Sequence, residues 1–233
     1  MNKIQESRST ARRALIARCA LRAGAAAYSA GIVSEALLRW PLNPATTLLS
    51  ELAARDRGYR RIFQASDVCA GALFAASGLQ QTRSAKVGKA GKLAAASLVV
   101  FGAATIADAF SPLDYPISHA ALRPGTGDGA GDEPWAPSIS HNAHFVTTTI
   151  AGSASVGICL EHWKLARRAP RRSGAAGVLR AAAAPATVAL LLTGVAALAS
   201  PKLLPGAVQR VQTLAFATVC LDLAALQAQE EAD

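Results

Sequence analysis

Six apolar stretches of about 20 residues, separated by connections that carry most of the charge, constrain this chain more than any other feature. They fall at about 19–38, 62–79, 93–110, 141–162, 176–199 and 206–226. A hydrocarbon core about 30 Å thick needs roughly 20 apolar helical residues to cross it. Inside that core a helix satisfies its own backbone hydrogen bonds, as an open segment cannot. The expected fold is therefore all-α: a polytopic membrane bundle of six transmembrane helices with both termini cytoplasmic. Residues 1–18 form a basic cytoplasmic segment, 19–226 one membrane domain, and 227–233 an acidic cytoplasmic tail. Composition agrees, because 52% hydrophobic and 17% charged residues leave too little polar surface for a soluble domain.

The net charge of +9 would point to nucleic acid in a soluble protein, where clustered Lys and Arg neutralise phosphates. Here the basic residues fall between apolar runs, so membrane topology accounts for them and no nucleic-acid partner is expected. The six-helix reading puts 16 Lys and Arg inside and 8 outside, the latter including Arg39, Arg55, Arg57, Arg60, Arg61 and Arg210. This bias places the protein in the cell membrane as a multi-pass protein with its ends inside. No small-residue cleavage site follows the first apolar segment, so that segment reads as a retained helix.

The four cysteines, Cys19, Cys69, Cys159 and Cys220, are widely spaced in or beside apolar runs. They lack the close spacing of a zinc ribbon or a redox pair and read as buried small hydrophobes. Abundant alanine and scarce aromatics predict helices packed through small side chains, Ala27 and Gly31 among them, rather than around a large aromatic core. In the first outer connection, Thr47 to Ala54 reads as a short helix. The glycine-rich string 125–131 lacks the Lys-Ser or Lys-Thr of a phosphate loop and reads as a flexible linker.

The chemistry-bearing residues gather at one level. Glu35 ends helix one, Asp67 lies early in helix two, Asp108 ends helix three with Asp114 just beyond, and His141 and His144 begin helix four. Ionised side chains cost about 2.5 to 3.5 kcal/mol at a membrane centre and usually face a bundle interior or a wet cavity. His141 and His144 are spaced i,i+3 and so share a helix face, with Thr148 one turn further along. Two imidazoles and a carboxylate make a shell competent for zinc, with a fourth position for water. The expected metal ligands are His141, His144 and Asp108. The expected acid–base groups are Asp108, Asp114, Glu51 and Asp67, with His119 behind them. Glu161 and His162 read as interfacial polar residues, and Asp222 as a partner for an Arg.

Asn43-Pro44, Ser50-Glu51-Leu52-Ala53-Ala54-Arg55-Asp56, Tyr59-Arg60, Phe63 with Asp67, the Asp108 to Asp114 stretch and the HxxH opening helix four together carry a resemblance. The chain resembles the domain of unknown function 998 family of bacterial integral membrane proteins. That resemblance covers about 19–226 and implies six membrane helices with an outward-facing polar cluster. Members often carry cysteines in the loop after helix three, and this chain has none there. A weaker likeness is to the alkaline ceramidase and adiponectin receptor superfamily, where Ser, Asp and His surround zinc.

Two functions fit these residues. In one, metal-bound water hydrolyses an amide or ester of a lipid or envelope substrate at the outer face. In the other, a non-catalytic membrane protein binds lipid or assists an envelope enzyme, and the cluster is a structural hydrogen-bond network. Transport would need a continuous polar path, which the middle segments of helices three and five do not supply.

Overall fold

The computed structural model describes residues 3–83, 89–118, 136–169 and 174–230. Among them there is no strand. The helices are α1 (Lys3–Leu37), α2 (Arg60–Thr82), α3 (Lys89–Ala109), α4 (Ile139–Arg168), α5 (Ala175–Ala197) and α6 (Pro205–Glu230), with short 3-10 turns at Leu49–Ala53 and Pro201–Leu203. The helices alternate in direction, so residues 38–59, 110–118 and 198–204 share one end of the bundle, called the loop face below. α1 packs on α2 and α6, α2 on α3, α3 on α4, and α6 also touches α4 and α5.

Five helices, α2 to α6, are long and apolar enough to cross a membrane. α1 differs from expectation. It starts at Lys3 and runs unbroken for 35 residues through the basic segment, instead of beginning near Cys19. No Gly or Pro interrupts residues 3–22, so nothing there stops the helix, while the Arg residues keep its first half polar. The helix ends on a Schellman motif: Trp40 N–H donates to Glu35 O at 3.1 Å and Arg39 N–H to Ala36 O at 2.9 Å. Arg39 takes the left-handed position, φ 58°, where glycine is usual.

Small residues hold the helices together, though not at the expected Gly31, where a Cβ would meet only Phe63 at 3.9 Å. A Cβ on Gly102 would lie 2.3 Å from Gly71 O, and one on Gly71 would lie 2.6 Å from Gly102 O, so α2 and α3 meet backbone to backbone. The aromatics, though few, are gathered rather than dispersed. Tyr28, Phe74, Phe101 and Phe216, from four different helices, form a cluster with Phe101 ring centroids 5.5, 5.1 and 4.9 Å from the other three. Such edge-on and tilted contacts favour the ring quadrupoles.

Cys159 and Cys220 are buried, but Cys19 and Cys69 are exposed on the outside of the bundle. An apolar position in a spanning helix can face lipid as well as protein, and composition does not separate the two. Glu161 and His162, expected as interfacial polar residues, are enclosed by the bundle. Both are buried, and His162 Nε2 lies 2.9 Å from Asp222, which Arg180 also grips at 2.5 Å. The expected Arg partner of Asp222 is thus Arg180. His119 and the 125–131 string lie outside the described residues, as does the end of the acidic tail.

Candidate functional site

Asp108 closes α3 directly opposite the first turns of α4. Its Oδ1 accepts hydrogen bonds from the hydroxyls of Thr147, at 2.5 Å, and Thr148, at 3.0 Å. His144 Nδ1 stands 3.1 Å from the same oxygen, an ion-pair separation without hydrogen-bond alignment. Asp67, on α2, is close enough to feel the charge of Asp108 and accepts no hydrogen bond among the described residues.

His141 serves another carboxylate. Ser138 caps α4 by accepting the His141 N–H at 3.1 Å. Asp114 in turn accepts the Ser138 N–H at 2.9 Å and its hydroxyl at 2.7 Å. The Asp114 N–H donates to His141 Nδ1 at 3.2 Å, which puts the proton of the neutral ring on Nε2. Burial works to raise the Asp114 carboxyl, but the bonds from Ser138, with His141 and Arg55 nearby, hold it below its ordinary value.

Glu51 is fully buried under the first loop and accepts the Ser118 N–H at 3.1 Å as well as its hydroxyl. Burial pushes its carboxyl above the ordinary value, against the pull of those Ser118 bonds. Beside it lies a pair not anticipated from sequence. Glu35, 0% exposed, takes both Nε and Nη2 of Arg210 at 2.8 and 2.5 Å. Nη1 of Arg210 donates to the carbonyls of Pro44, Thr47 and Gly206 at 2.8 to 2.9 Å. Arg210, counted from sequence among the outer charges at the start of helix six, is buried and paired within α6. Two opposite charges within separate apolar runs were the available signal. Gly206 permits the contact, because a Cβ there would lie 2.3 Å from Thr47 O.

Some of these residues line a cavity of about 240 Å³ that runs from the loop face to the aromatic cluster. Leu48, Ser50, Leu113 and Ile117 line its loop end, and Tyr28, Phe101 and Phe216 its inner end. Asp67, Asp108, His144 and Thr148 form a polar wall, faced from α6 by Gln209 and Gln212. The sequence-derived cluster therefore divides. Asp67, Asp108 and His144 reach the cavity, whereas Glu51, Asp114 and His141 tie loops together behind it. Among the described residues, no three His, Cys, Asp or Glu side chains form a group able to hold a metal ion. The two histidines share a face, as their spacing predicts, but each turns to its own aspartate.

The fold and cavity define an all-helical protein of membrane type with a polar-walled pocket inside its bundle. The chain belongs to the family described as Protein of unknown function (DUF998), whose family model matches residues 22–226. No curated protein and no solved structure matches it. The weaker likeness to the ceramidase and adiponectin receptor superfamily thus has no match behind it.

Proposed function

We propose that this protein is a multi-pass protein of the cell membrane that binds an amphipathic molecule, such as a lipid, in the cavity between its helices, without transforming it. The supporting observation is the lining: apolar and aromatic side chains over most of the wall, with Asp67, Asp108, His144 and Thr148 converging on one side. Such a mostly apolar enclosure with a few placed polar groups is the usual form of a small-molecule site. Its volume lies below the roughly 300 to 1,000 Å³ of typical pockets. It therefore suits a head group and the first part of a chain, the remainder lying in the bilayer.

Lipids extracted from the purified protein test this reading by mass spectrometry. Gly152 lines the cavity, and a Cβ there makes only an ordinary 3.6 Å contact with Leu191. Gly152→Leu should fill the space and remove a lipid that co-purifies with the wild type. The same lipid complement in both proteins would exclude the cavity as its site.

A second reading, hydrolysis, draws on the 3.1 Å approach of His144 to Asp108 at the cavity wall, an arrangement able to shuttle a proton. A zinc-dependent version would require stoichiometric metal in protein purified without chelators, and loss of that metal in His144→Ala.

A further inference from the structure

We infer that the ligand of this cavity is an organic cation, an amine or quaternary ammonium carried on an apolar body. This rests on the reading of the cavity as a binding site and adds the charge of what it binds. Two carboxylates, Asp67 and Asp108, meet the cavity, and no Lys or Arg appears among the described residues lining it. His144 is the titratable base on the wall, and it is turned to Asp108 Oδ1, which two threonine hydroxyls already serve. Arg210, the basic residue deepest in α6, is committed to Glu35 and three carbonyls. Asp67 and the second oxygen of Asp108 accept no hydrogen bond among the described residues, so the wall presents free acceptors and no Lys or Arg to fill them.

Aromatic rings supply the other half of the recognition. Tyr28, Phe63, Phe101 and Phe216 all line the same space. Ring faces attract a cation within about 6 Å, more strongly where water is excluded. With an anionic or neutral head group the two acids either repel each other or keep a proton on one of them. A cation relieves that repulsion and sits against the rings at once.

The test compares benzyltrimethylammonium with neopentylbenzene, its uncharged isostere, by calorimetric titration of the full-length protein in maltoside micelles. The ammonium should bind about tenfold more tightly, the difference made by roughly 1.4 kcal/mol. Asp67→Asn should erase that preference and Asp67→Glu should retain it, each variant being checked by its thermal melt. Equal affinities in the wild type would overturn the inference while leaving the cavity as a binding site. Failure of both probes to bind would overturn the inference and the binding reading together. A preference that survives in folded Asp67→Asn would overturn the role of the carboxylate.

Discussion

Arg210 has five N–H groups, and the structure gives acceptors to both faces of its guanidinium: two Glu35 oxygens on one side, three backbone carbonyls on the other. With Glu35 at 0% exposure, removing either partner strands a charge or several carbonyls away from water. Breaking a buried pair in this way costs about 3 to 5 kcal/mol. Arg210→Met should therefore lower stability in detergent strongly. Glu35→Gln should lower it less, because the three carbonyls keep their donor. Chemical or thermal unfolding measures both, and equal losses would mean that the carbonyl contacts carry no weight. The same residue shows what a sequence conceals. Its positive charge counted as an outer charge because it stands near the start of an apolar run, and only the fold reveals the acid 175 positions away.

At the scale of elements, the segment after α3 is held at two points by carboxylates shifted in opposite directions. Asp114, held low, contributes stability that is present above its unfolded value of about 3.9 and lost as pH falls through its folded value. Glu51, pushed up, works the other way: its contribution is present below about 4.3 and lost as pH rises through its folded value. The stability gap between wild type and Asp114→Asn should narrow on acidification, whereas wild type should lose ground to Glu51→Gln as pH rises. Parallel pH curves for wild type and either variant would refute that variant's assignment. The positions of helices two to six were legible because each apolar run is long and bounded by charge, and α2, at Arg60–Thr82, brackets the expected 62–79. The start of α1 was not, since a basic helix and a basic loop share one composition. The candidate site was legible as a level and not as a set of pairs. Asp67, Asp108 and His144 were named, but period alone cannot say which imidazole meets which carboxylate. Tyr28, Phe101 and Phe216 gave no signal beyond being apolar.

For the whole molecule, the burial of Arg210 bears on orientation. With that buried, paired charge set aside, seven of the eight basic residues assigned to the outer side remain, against 16 assigned to the side of the chain ends. Reporters active only in the cytoplasm, fused to each end, should both be active; an inactive one would reverse or reduce the six-crossing topology. Packing is uneven around the bundle. α2 and α3 touch through glycine backbones, while only 11% of the apolar window of α5 is buried. α6 joins the whole, touching α1, α4 and α5 and clasping the first loop. That clasp has a consequence for biogenesis. A chain made from its N-terminus presents Glu35 and the carbonyls of Pro44 and Thr47 first, and their shared partner leaves the ribosome 175 residues after Glu35. Until then the first loop lacks its contacts to α6, so the pocket is complete only once α6 has been made.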